Sequence, residues 1–138
     1  MKKQLFLAFF AVIFFKTGTS QHVPSPSEFL GYRIGERFTY HHQLIDYFEA
    51  LAKVSPEIEL VDYGRSVENR PLFAAIVSAE ENIQQIEKIR RSNLKNTGLL
   101  KNGDDELQKA IVWFSFGVHG NEAATSETAM EFVHLLLH

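Results

Sequence analysis

The most apolar stretch beyond residue 20 reads AIVWFSF over residues 110–116. Its apolar residues do not alternate with polar ones, and this pattern predicts a central strand buried on both faces. The segment GVHGN at 117–121 leads from this strand into a predicted helix, residues 122–138, which is rich in Ala and Leu. No Gly, Asn or Pro ends that helix, so we expect it to continue to the end of the chain.

The elements before this strand are predicted from periodicity. Thr39 is a candidate N-cap, and Leu44, Phe48 and Leu51 form an apolar stripe with helical spacing that ends before Pro56. Alternating and apolar runs joined by a polar turn predict a β-hairpin. The predicted elements are a helix at 39–55, strands at 57–63 and 72–77, a helix at 82–91 and a loop at 92–106. Their order predicts an α/β fold with helices on the faces of the sheet.

Residues 1–20 are typical of a signal peptide, with two Lys residues, an apolar run at 5–15 and small residues before a cut after Ser20. The apolar run is too short to span a bilayer, which takes about 20 residues. An uncleaved N-terminal anchor is the alternative. We expect an exported protein, periplasmic or extracellular, with an extended arm at 21–38 and no transmembrane segment in the mature chain.

The composition of the remaining 118 residues excludes several functions. They carry eleven Lys and Arg against seventeen Asp and Glu, a net charge of −6, which disfavours binding to nucleic acid. The chain has no Cys, and this excludes disulfides, thiolate metal sites and a Cys nucleophile.

The sharpest chemical feature is His119-Gly120-Asn121-Glu122, directly after the predicted buried strand. Ligands of open α/β sheets usually bind at the carboxyl ends of strands. An imidazole and a carboxylate three positions apart can converge on one Zn²⁺ ion. Alternatively, His119 caps the strand and Glu122 complements the positive end of the helix dipole.

A second motif, YGRSVENRPL at 63–72, lies in the predicted hairpin turn. Together with His119-Gly120-Asn121-Glu122, it makes the sequence resemble the zinc carboxypeptidases of the carboxypeptidase A type, which carry G-x-S-x-x-x-R-P-[LI] and H-x-x-E. The resemblance covers roughly residues 38–138, the N-terminal portion of such a catalytic domain. It implies a mixed sheet of about eight strands with helices on both faces, only partly contained in this chain.

The resemblance also implies roles for particular residues. His119 and Glu122 are the first two ligands of one zinc ion, and Arg70 lies beside the groove for a peptide or protein substrate, whose C-terminal bond is hydrolysed. Alternatively, Arg70 is a turn residue that pairs with Glu68 or Asp62. The third ligand and the general base are expected beyond residue 138, so we expect no catalytic residue within a chain that looks truncated and inactive alone.

Two alternatives to a peptidase stay open, one of them an enzyme and the other a binding protein. One is a zinc amidase or deacylase of the aspartoacylase-like kind, and the other is a non-enzymatic carboxypeptidase-like binding module.

The remaining histidines indicate no second metal site. Glu127, Glu131, His134 and His138 form one polar stripe, which is typical of a solvated helix face. If the chain ends at residue 138, we expect marginal stability, with Phe132, Leu136 and Leu137 partly uncovered.

Overall fold

A computed structural model describes residues 22–102 and 107–138 of the chain. The predicted signal peptide at 1–20 lies outside the described residues. The described elements are α1 (Pro26–Leu30), α2 (His41–Val54), β1 (Ile58–Arg65), β2 (Pro71–Val77), α3 (Glu80–Ile83), α4 (Ile86–Asn96) and α5 (Ala124–Leu136). The predicted α/β class is confirmed, and the sheet in this part of the chain has two strands.

The hairpin of β1 and β2 is antiparallel, as the alternating pattern predicts. Ile58 pairs with Val77 at one end, and Arg65 pairs with Pro71 beside the turn. The register shifts between Asp62 and Gly64, so Tyr63 is the extra residue of a β-bulge. Gly64 has a φ of 137°, a conformation that side-chain-bearing residues rarely adopt. The glycine of the turn motif therefore has a backbone role at the bulge.

The core lies between α2, α5 and the hairpin. Tyr47 and Leu51 of α2 and Met130 of α5 are fully buried, and Phe48 packs its ring 5.3 Å from that of Phe73 on β2. The Tyr47 hydroxyl donates a 3.0 Å hydrogen bond to the Pro24 carbonyl, which attaches the arm to the core. The helical stripe predicted for α2 is thus the face that contacts the rest of the protein.

The boundaries of α2 follow the prediction closely. The helix ends at Val54, and Ser55 before Pro56 is its C-cap, as expected. The N-cap is Tyr40 rather than Thr39, and the Tyr40 N–H donates to the Gln43 side chain at 3.0 Å. Thr39 does not cap the helix because its hydroxyl is bound elsewhere, as described below.

Two predictions for polar segments are wrong. The arm at 21–38 is not wholly extended, because Ser25 and Glu28 form a capping box that starts α1. The loop predicted at 92–106 begins too early, since α4 continues to Asn96. Ser92 is fully buried on that helix. Because a polar residue occupies its inner face as well as its outer face, the apolar stripe that would predict a helix is interrupted there.

The central strand predicted at 110–116 is also wrong. The segment contains no strand and its side chains are largely exposed, with Trp113 77% accessible. Two side chains of the segment contact α5. The rings of Phe114 and Phe116 lie 4.8 Å and 6.2 Å from the ring of Phe132. In the described residues the sheet consists of β1 and β2, and this segment does not pair with the free edge of either strand. Apolar composition favours burial but does not supply a neighbouring strand.

Helix α5 departs from its prediction at both ends and along one face. It begins at Ala124 instead of 122 and ends at Leu136. Leu137 is buried, whereas Leu136 is exposed as expected and Phe132 is half-buried. The predicted solvated stripe is wrong at its start, because Glu127 is only 5% exposed.

The cause is the arm, which covers this part of α5. Further along the stripe Glu131 and His138 are exposed and His134 is half-buried. None of the helices in residues 22–102 and 107–138 combines the length and the apolar composition that a transmembrane span requires.

Candidate metal centre

The His119–Glu122 segment forms a tight turn before α5. Gly117 has a φ of 69°, in the left-handed region that glycine adopts without strain. The Glu122 N–H then donates to the His119 carbonyl at 3.1 Å, which closes the turn. The Thr125 hydroxyl donates to the Glu122 carbonyl at 2.7 Å and joins the turn to the first residues of α5. The backbone therefore brings the two side chains to the same side.

The two predicted ligands are in contact. His119 Nδ1 lies 3.1 Å from Glu122 Oε1, and the side chains are 68% and 53% exposed. Two N or O ligands of a tetrahedral zinc ion lie about 3.3 Å apart, given bonds of about 2.0–2.1 Å. The observed 3.1 Å is the length of a direct hydrogen bond between the two side chains, and it is also close to this ligand spacing. The nitrogen and oxygen thus have the chemistry of two zinc ligands, on a surface open to further ligands.

A complete catalytic zinc site needs a third protein ligand in addition to water. In the part of the chain that the structure describes, no group of three or more His, Cys, Asp or Glu side chains is arranged to hold a metal. The pair therefore fits two positions of a zinc site, and the described residues do not form the whole site.

The turn motif is built around Ser66. Its backbone N–H donates to the Arg70 carbonyl at 2.9 Å, and its hydroxyl accepts from the Arg70 N–H at 3.1 Å. The Asn69 N–H donates to the Ser66 carbonyl at 2.8 Å, and Asn69 has a left-handed φ of 60°. Asn tolerates that conformation better than most residues. The serine of the motif therefore closes the hairpin turn and binds the backbone of Arg70 at two atoms.

Arg70 pairs with a neighbouring carboxylate and also borders a cleft. Its guanidinium lies 2.6 Å from Glu68, as expected of a turn residue, and its side chain remains 57% exposed. It also borders an open cleft of about 400 Å³ at the start of α2. The residues that line this cleft are Tyr40, His41, His42, Ile45, Asp46, Asn69, Arg70 and Pro71. His119 and Glu122 are not on its wall, so the structure does not join the predicted substrate and metal residues in one cavity.

His41 connects the start of α2 to the hairpin. Its Nε2 lies 3.1 Å from the Pro71 carbonyl oxygen, which can only accept a hydrogen bond. Nε2 therefore carries a proton and donates it. This bond holds His41 beside Pro71, the residue after Arg70, and both residues line the cleft.

Comparison with known proteins assigns the family. The model of the family described as zinc carboxypeptidase matches residues 44–138, well over half of the chain. The chain belongs to the zinc carboxypeptidase family. No curated protein and no solved structure matched the chain. Both motifs of this zinc carboxypeptidase domain, in the hairpin turn and before α5, lie within the matched residues.

One polar cluster, centred on the buried Glu127, was not predicted from the sequence. Glu127 accepts hydrogen bonds from the Gly35 N–H at 2.6 Å and the Thr39 hydroxyl at 2.7 Å. The Tyr32 hydroxyl lies 2.9 Å from Thr39 Oγ1, and it donates because the Thr39 proton is directed to Glu127. The helical spacing places Glu127 in a polar stripe and carries no signal for these distant partners.

Proposed function

We propose that this protein is an exported zinc carboxypeptidase that hydrolyses the C-terminal peptide bond of peptides or proteins. His119 and Glu122 act as two of the zinc ligands in this proposal. The observation that carries it is the 3.1 Å approach of His119 Nδ1 to Glu122 Oε1 within a zinc carboxypeptidase domain.

Bound zinc supplies a polarised substrate carbonyl and an activated water in this class of hydrolysis. The described residues contribute metal binding rather than proton transfer. The exposed pair leaves space for a third ligand, which we propose to be a His from sequence beyond residue 138, together with the general base. The chain from 1 to 138 is then inactive alone.

Arg70 is proposed to bind substrate at the edge of the groove. Its side chain is more than half exposed and borders the cleft, and the Ser66 hydroxyl binds its backbone N–H. The pairing with Glu68 is on the surface, where an ion pair contributes about 0–1 kcal/mol. A substrate carboxylate can therefore replace Glu68 at little cost in free energy.

Export is proposed from residues 1–20, with the mature chain starting at Gln21. Expression of the chain in its natural host, followed by cell fractionation and N-terminal sequencing, tests this. An intact Met1 on cytoplasmic protein would contradict it.

Zinc titration by calorimetry tests the metal pair. We expect weak binding with one ion per chain, because two protein ligands bind zinc less tightly than three. His119→Ala and Glu122→Ala should each abolish zinc binding. Glu131→Gln changes an exposed residue of α5 and should leave zinc binding unchanged. Binding that survives both alanine substitutions would exclude this pair as the zinc site.

The peptidase activity is tested on the full product of the gene. Release of C-terminal amino acids should stop when a chelator removes zinc and return when zinc is restored. A folded, zinc-loaded protein that releases no terminal amino acid would favour the amidase, and a folded protein without zinc would favour the binding module.

A further inference from the structure

Glu127 is a buried carboxylate whose described partners are both neutral. Its side chain faces the arm, with Oε2 bound by the Gly35 N–H and Oε1 by the Thr39 hydroxyl. Burying a charged group costs free energy unless hydrogen bonds compensate for the lost water. Apolar residues would bury this surface at a lower cost, so the arrangement favours a role in positioning over one in stability alone.

Both elements joined by Glu127 lead to residues of the proposed function. On α5, Glu127 follows Glu122 by five residues, and the intervening Thr125 binds the Glu122 carbonyl. Directly after the arm, Thr39 precedes Tyr40, which is the N-cap of α2 and borders the Arg70 cleft. Gly35 and Thr39 come before the residues matched by the family, so this contact joins the matched domain to the segment ahead of it.

We propose that Glu127 is a positioning residue that holds the start of α5 against the arm, and so sets the orientation of His119 and Glu122 for the metal. The contribution to metal binding rests on the proposed function. The part of the proposal that concerns how Glu127 holds α5 against the arm does not depend on metal binding. Because a helix is stiff over a few residues, a carboxylate bound at two atoms restricts rotation of α5 about its axis. The side chains of His119 and Glu122 are themselves more than half exposed.

The variant Glu127→Gln tests the proposal, because it keeps the size of the side chain and loses one hydrogen-bond acceptor. Glu131→Gln is the matched control, with the same change on an exposed position of the same helix. Thr39→Val removes the hydroxyl partner, and Thr39→Ser keeps it. These two variants keep the test valid if Glu127→Gln fails to fold.

Two measurements separate this proposal from the proposed function. The first is zinc affinity, which we expect Glu127→Gln and Thr39→Val to lower about tenfold, at the low end for residues that orient metal ligands. Glu131→Gln and Thr39→Ser should leave it unchanged. Equal zinc affinity in all four variants and the wild type would overturn the role in metal binding.

The second measurement is amide hydrogen exchange, which needs no metal. Glu127→Gln and Thr39→Val should speed exchange in residues 32–40 and 117–126 and leave the hairpin at 58–77 unchanged. Uniformly faster exchange would indicate a merely structural role, and unchanged exchange at 117–126 would overturn positioning. If the wild type binds no zinc, the proposed function fails, and this measurement still decides whether Glu127 positions the turn.

Discussion

Glu127 Oε2 lies 2.6 Å from the backbone nitrogen of Gly35, although the two residues are 92 positions apart in the chain. This bond brings the arm onto the helix that follows the His119–Glu122 turn. The elements next to the proposed zinc ligands are therefore held by residues from both ends of the described chain.

The exposure of residues 110–116 can be tested with Trp113, the single tryptophan of the protein. Because this side chain is 77% exposed, we expect red-shifted fluorescence that acrylamide quenches readily. Unfolding in urea should change the emission wavelength little. Blue-shifted emission that resists quenching would instead indicate that the segment is buried.

Ser66→Ala should destabilise the hairpin turn. The substitution removes the hydroxyl that accepts from the Arg70 N–H, and the loss of such a hydrogen bond costs about 0.5–1.5 kcal/mol. Urea unfolding measures the change in the free energy of unfolding. Ser66→Thr keeps the hydroxyl and should be nearly neutral, as should Val67→Ala at a fully exposed neighbouring position. Equal destabilisation by all three substitutions would argue against a specific role for the hydroxyl.

Met130→Ala should be among the most destabilising single changes in α5. Met130 is fully buried between α5 and the core, and truncating such a side chain costs about 2–5 kcal/mol. Leu135→Ala on the same helix is the control, because Leu135 is 65% exposed and its truncation should change stability by less than about 0.5 kcal/mol. Similar losses in both variants, measured by thermal unfolding, would contradict the described packing of α5.

The protein should become less stable as the pH falls below neutral, because of His134. Burial lowers the pKa of this imidazole, with a further lowering from His138 and His22, while Glu131 and Glu28 act in the opposite direction. Its Nδ1 is buried with no hydrogen-bond partner among the described residues. The unfolded chain therefore binds a proton more readily than the folded chain below the ordinary His pKa of about 6.5.

This sign means that stability from His134 is complete above about pH 6.5 and decreases as the pH falls towards the lowered pKa of the folded state. His134→Gln should reduce the difference in urea midpoint between about pH 7.5 and about pH 5.5. His42→Gln, at an exposed position, is the control. An unchanged pH dependence in His134→Gln would show that the imidazole is not buried as described.

Local patterns predicted the elements that depend on neighbouring residues. Helix α2 and the hairpin were predicted within a few residues because their stripe, alternation and turn residues act over short distances. The pairing of His119 with Glu122 was predicted for the same reason, since three positions and one turn separate them. The Ser66 motif was recognised by resemblance, and its hydrogen bonds explain why the turn needs that residue.

Residues distant in the chain were predicted less well. The apolar segment at 110–116 was expected in a sheet, but a strand needs a partner strand, and apolar character alone does not identify one. Glu127 was expected in solvent, because helical spacing shows which residues share a face and not which segment covers that face. The burial of Glu127 goes with its contacts to Gly35 and Thr39, which lie 92 and 88 positions away in the chain.

The amino-acid sequence was thus sufficient for the α/β class, the proximity of His119 and Glu122 and the motifs of the zinc carboxypeptidase family, because each arises from residues close together in the chain. Only the folded chain showed that Arg70 borders a cleft separate from His119 and Glu122, and that the arm covers α5 at Glu127. These features depend on which distant surfaces meet, and that is determined by the packing of the helices and the hairpin around Tyr47, Leu51 and Met130.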